Sequence, residues 1–194
     1  MSSFLRIAGA AALVLSLGLV ARALPVANIL TINNIDPLVH TDAISCALNK
    51  LIVDAQIVAK LQECLNAGTA ADLKVCVDLC VTVIKACADE LLKIGTGVAV
   101  DAQVKADIVF CIAAFITLVV KVCLQLTLKF GVAVVATIFT DLDACIKHLL
   151  VTLNICIDGV IELVVKAIAD VTLGLLVQVQ LSACVSVFAA VTSN

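Results

Sequence analysis

Tryptophan and tyrosine are absent from this chain, and its aromatic content is six phenylalanines. Without the larger rings it is poorly suited to stacking sugars or nucleobases. Arginine occurs only at Arg6 and Arg22, which leaves ten lysines against 15 Asp and Glu over the rest of the sequence. An acidic chain of that kind is a poor nucleic-acid binder, because little offsets repulsion by phosphates. No Asn-x-Ser/Thr sequon occurs, so N-glycans are not expected to supply solubility. Histidine is limited to His40 and His148, and no Cys-x-x-Cys is present. Both prolines, Pro25 and Pro37, precede Thr41, and nothing beyond that point breaks a long helix by ring constraint.

What the chain does contain is apolar side chain and cysteine. Hydrophobic residues make up 63% of the 194 positions and charged ones 14%, with ten cysteines. The mean hydropathy of +1.24 would suit a membrane protein. Part of this comes from "MSSFLRIAGAAALVLSLGLVARALP", which has a basic start at Arg6, an apolar run from Ile7 to Val20, and Ala21 and Ala23 in A-x-A register. That layout is expected of a secretory signal peptide over 1–23, cleaved near Ala23, with a retained signal anchor as the alternative. Residues 24–40 read as an extended leader, and 41–194 as one helical domain.

A spanning helix needs about 20 consecutive apolar residues. Charges interrupt the sequence too often, with 13 uncharged residues between Asp107 and Lys121 and 11 between Lys129 and Asp141. Only the stretch after Asp170 runs uncharged for 24 residues, and glutamines, serines and threonines dilute it. Multi-pass topology is therefore not expected.

Glycine and capping residues place the helices near 41–66, 70–94, 100–130, 141–172 and 176–191, with 132–139 unassigned. Thr69 stands three residues before Asp72, and Thr140 and Asp141 offer caps for a later start. Acid-first pairs Asp89/Lys93, Asp101/Lys105, Asp143/Lys147 and Glu162/Lys166 support helix. The valine and isoleucine content favours strands, but long apolar runs without alternation favour helix. The expected fold is an all-α, disulfide-stapled bundle of about five long helices.

The candidate structural residues are the cysteines: Cys46, Cys64, Cys76, Cys80, Cys87, Cys111, Cys123, Cys145, Cys156 and Cys184. An even number behind a signal peptide points to disulfides. At about 100° per residue, Cys76, Cys80 and Cys87 share one helical stripe and Lys74, Asp78 and Lys85 the opposite one. The same arithmetic aligns Cys145 with Cys156, facing away from Asp143 and Lys147. Cysteines 11 residues apart on one helix are about 16 Å apart and cannot bond each other. Each is expected to reach another segment, and ten thiols allow about 945 pairings. The pairs Cys76/Cys87, Cys111/Cys123 and Cys145/Cys156 suggest one two-cysteine helix used three times.

Other chemistries find little company. Cys145-x-x-His148 is a possible ligand pair, though His148 reads as a surface residue. Asp141 and Asp143 could be catalytic carboxylates, though helix capping explains them more simply. Gly95-Thr-Gly97 lacks the strand and basic residue of a phosphate loop. No catalytic residue, metal or cofactor is expected.

Adjacent-cysteine doublets, which mark hydrophobins and plant lipid-transfer proteins, do not occur. Segments such as "DIVFCIAAFITLVVKVC" and "LDACIKHLLVTLNIC", with the signal peptide, the length and the scarcity of proline, make the chain similar to basidiomycete secreted hydrophobic cysteine-rich proteins of the cell wall and aerial hyphae. The resemblance implies a fungal source and a structural or interfacial role without catalytic residues. Composition alone leaves three readings. One is a surface-active or self-associating extracellular protein meeting apolar interfaces, lipid or cell-wall components. The second is a lipid or sterol carrier with an apolar cavity, and the third a compact bundle of unidentified role.

Overall fold

The computed structural model describes residues 35–168 and 170–192. The expected signal peptide and residues 24–34 of the leader lie outside them. The described residues form eight α-helices and one π-helical turn, with no strand. These are α1 (Ala43–Asn49), the π turn Lys50–Asp54, α2 (Ile57–Cys64), α3 (Ala70–Ile94), α4 (Ala102–Phe130), α5 (Val132–Cys156), α6 (Val160–Ala167), α7 (Asp170–Gln178) and α8 (Ser182–Thr192). The all-α expectation holds.

Local chemistry explains the long helices. Thr69 and Asp72 close a reciprocal capping box at the start of α3: the Asp72 amide donates to Thr69 Oγ1 at 3.1 Å and the Thr69 amide to Asp72 Oδ2 at 3.0 Å. Asp101 caps α4 by accepting from the Val104 amide at 2.9 Å. A single residue, Gly131, separates α4 from α5, with φ of 84° and ψ of 153°. Side chains at Cβ disfavour that backbone region, so glycine permits the reversal.

Four boundaries differ from the sequence expectation. The 41–66 helix is broken, because the Ala55 amide bonds back to the Lys50 carbonyl in π register and Gln56 turns left-handed at φ 51°. Residues 132–139 are helical, so the fifth helix starts before Thr140 and Asp141 rather than at them. The 141–172 helix is cut after Cys156, where Gly159 takes φ 71°, while Gly174 lies inside α7. The expected 176–191 helix is instead broken between α7 and α8, where Gln180 turns left-handed at φ 64°.

Helix α5 is the centre of the bundle and packs against α3, α4, α6 and α8, most extensively against α3. Lys74 approaches Asp141 while Cys156 Sγ donates to the Leu91 carbonyl, so α3 and α5 run parallel. Helix α4 runs opposite to both. Lys105 near its start donates to the Asp158 carbonyl, and Lys129 at its end donates to the carbonyls of Leu65 and Ala67 beside the start of α3. The leader docks at the far end, with Ile35 and Leu38 buried, Leu38 and Asn49 exchanging two hydrogen bonds, and His40 on Asp107 at 2.7 Å.

Candidate functional site: buried thiols and an apolar surface

All ten cysteines lie within the described residues, and all ten are free thiols. The expected disulfide staple is therefore not formed in this structure, and packing of one continuous aliphatic core holds the bundle. The wheel placed the thiols correctly: Cys80 and Cys87 are buried, Cys76 is half-buried, and Lys74, Asp78 and Lys85 are exposed. The three pairs expected to share a helix do so, on α3, α4 and α5 in turn. Cys46 alone is exposed.

Several buried thiols donate to backbone carbonyls rather than forming disulfides. Cys87 reaches Ala47 at 3.5 Å, Cys145 reaches Leu142 at 3.1 Å, and Cys64 reaches Lys60 at 3.3 Å. Burial pushes the thiols of Cys87, Cys111 and Cys145 up to about 12. Burial also raises Cys123, Cys156 and Cys184, the last assisted by the neighbouring Asp143 carboxylate. Thiols held this far up carry almost no thiolate at neutral pH and make poor nucleophiles or metal ligands. Cys64 is raised first by its hydrogen bond with the Cys80 thiol and then by burial. Cys76 is raised by burial, with Cys64 adding to the effect.

The histidines sit beside carboxylates. His148 is partly exposed and lies 3.8 Å from Asp89, while Cys145, three residues before it, donates to its own helix. Among the described residues no three His, Cys, Asp or Glu side chains gather into a metal-holding group. The Asp141/Asp143 pair diverges. Asp141 is largely exposed, whereas Asp143 is buried and accepts from the Ala183 amide at 2.6 Å and the Cys184 amide at 2.9 Å. Asp143 thus caps the first turn of α8 from another helix. This corrects its placement on a solvent-facing stripe: α5 is surrounded, so that face meets α8. Sequence reasoning found the capping role but not its target, since the partner amides lie 40 and 41 residues away.

The outer surface carries many apolar side chains. Val39 is 91% exposed, Leu128 72%, Phe110 68% and Val75 62%, and Leu79, Leu92, Val132 and Val177 are each more than half exposed. Surface charges are partly tied up in pairs, including Lys74 with Asp78 at 2.7 Å, Lys166 with Glu162 at 2.6 Å, and Lys50 with Glu90. Two open grooves stand out. One of about 250 Å³ runs between α4 and α6 beside Phe110, Ala114, Thr117 and Ala167. The other, about 210 Å³, lies between the π turn and α3 beside Leu51, Val83 and Glu90. Helix α4 is long and apolar enough to cross a membrane, but 67% of its most apolar stretch is buried against other helices. That degree of burial is what the core helix of a bundle requires. No family model, curated protein or solved structure matches the chain.

Proposed function

We propose that this is a secreted, non-catalytic, surface-active protein of apolar interfaces, able to self-associate, in the manner of structural proteins of fungal cell walls and aerial hyphae. The observation that carries the reading is the set of exposed apolar side chains, from Val39 through Val75, Phe110 and Leu128 to Val177. Soluble monomers rarely leave large contiguous apolar area in water, and apolar surface gains by moving out of water to an air, lipid or wall interface or to a second copy. The packed helical core fits that role, since it holds the apolar side chains outward. In this reading the apolar interface, lipid or cell-wall component is the partner, and no cofactor takes part.

The carrier alternative asks for a dry enclosed cavity of roughly 300–1,000 Å³. Both grooves fall below that range and open to solvent, which favours the interfacial reading.

The test is surface tension and oligomeric state of the purified protein. Lowered surface tension, or assembly beyond a monomer, is the expected result, and both effects should shrink in the double variant Phe110→Ser, Leu128→Ser. A protein that stays monomeric and leaves surface tension unchanged overturns the reading.

A further inference from the structure

Helix α3 carries a second regular stripe besides its thiols. Leu73, Val77, Ile84 and Leu91 bury one face of the helix, and Val75, Leu79, Thr82 and Ala86 lie exposed on the opposite face. Val75 is 62% exposed and Leu79 54%. Their spacings of four, three and four residues are those of a seam that meets another helix. The stripe is graded in size, with Val75 and Leu79 in its first half and Thr82 and Ala86 in its second. Along one flank runs an exposed row of charges that alternate in sign: Lys74, Asp78, Lys85 and Asp89.

We propose that this stripe is a self-association surface, on which α3 of a second copy lies antiparallel about a two-fold axis. In that arrangement Val75 meets Ala86 of the second copy and Leu79 meets Thr82, so each bulky side chain faces a small one. Two-fold symmetry repeats every contact, which lets one patch serve as both halves of the interface. The open groove of about 210 Å³ beside Leu51, Val83 and Ala86 borders the small end of the stripe and leaves room for the Val75 side chain.

The charges obey the same symmetry. Asp78 comes opposite Lys85 of the second copy and Lys74 opposite Asp89, and each contact again occurs twice. Flanking charges of this kind set the orientation of paired helices. Glu90, on the other flank, approaches Asp72 of the second copy but is already paired with Lys50. Parallel pairing forfeits the match: Val75 faces Val75, Ala86 faces Ala86, and Asp78 comes opposite Val83.

The inference rests on the self-association in the proposed function and gives it a surface separate from Phe110 and Leu128, which lie on α4. A single helix seam is at the small end of interface sizes, so the dimer is weak and depends on concentration. Apolar side chains leaving water supply its affinity, and the charges choose partner and direction.

Sedimentation of the reduced full chain over a concentration series measures the dimer. Asp78→Lys and Lys85→Asp should each weaken it at least about tenfold, since like charges then face each other twice. Mixed in equal amounts, the two variants should pair with each other to within about threefold of the parent affinity, because every facing pair is again of opposite sign. Loss of folding in either variant cannot imitate that rescue. A chain monomeric up to about 1 mM, a dimer that either charge reversal leaves unchanged, or variants that stay apart in the mixture overturns the proposal. Lowered surface tension from a monomeric chain overturns this inference alone. Assembly lost in Phe110→Ser, Leu128→Ser but kept in both α3 variants does the same. Rescue in the mixture with surface tension unchanged supports the α3 seam and leaves the wider reading with self-association only.

Discussion

Asp143 shows how a single residue can serve a helix far from its own. Its carboxylate is buried and takes both the Ala183 and Cys184 amides. Those amides begin a helix and have no intrahelical acceptor. Asp143→Ala would leave the buried Cys184 amide and the half-buried Ala183 amide unpaired, at a cost of about 1–3 kcal/mol by the usual penalty for orphaned groups. Urea unfolding should show that loss, with Asp143→Asn falling between; a change below about 0.5 kcal/mol would contradict the capping role. The thiols give a second residue-scale expectation. In the reduced protein at neutral pH, Cys46 and then Cys76 should alkylate first. Cys87, Cys111 and Cys145, pushed up to about 12 by burial, should react only when the chain is unfolded. Mass spectrometry of partially alkylated protein reads the order directly, and early labelling of Cys87 would count against this account.

Among the elements, legibility followed the range of the interaction. Helix α3 was readable to its ends, because Thr69, Asp72 and Gly95 mark them locally. The thiol stripe on α3 was readable too, since it follows from helical spacing alone. The breaks at Gln56 and Gln180 were not, because glutamine gives no turn signal and tertiary packing imposes the left-handed backbone there. Asp143 was misplaced for the same reason: its face is decided by α8. Gly131 is the clearest element-scale test. An added Cβ meets nothing within 4 Å, so Gly131→Ala isolates backbone strain from steric clash. The expected loss is about 1–3 kcal/mol, seen in thermal or urea unfolding. Full stability in that variant would mean the α4–α5 reversal does not depend on glycine.

The cap of α1 responds to acid. Burial pushes the Asp42 carboxyl up, but hydrogen bonding from Ser45 and Ile44 outweighs it and holds the group below its ordinary 3.8. A group depressed in the folded state stabilises the fold above its unfolded pKa. That contribution fades as pH falls from about 4 through the folded value. Helicity followed by circular dichroism during acid titration should therefore decline less steeply below pH ~4 in Asp42→Asn than in the parent protein. Parallel titration curves would remove Asp42 from the explanation.

At the scale of the whole molecule, hydrophobicity is divided between a core centred on α5 and a surface that keeps Phe110, Leu128 and Val75 in contact with solvent. All-α architecture was legible because proline-free apolar runs leave few alternatives. The burial of α4 was less so, since length and composition alone would also suit a spanning helix. Packing decides it, because neighbouring helices already cover most of that stretch. The same packing leaves Phe110 and Leu128 of α4 among the most exposed apolar side chains, and for that reason the variant at those two positions bears directly on surface activity.

The cross-helix cap also has a consequence in time. A chain made from its N-terminus presents Asp143 some 40 residues before the amides that receive it. Until Ser182–Thr192 has left the ribosome, the carboxylate lines an unfinished groove, and water or a chaperone must cover the side of α5 meant for α8.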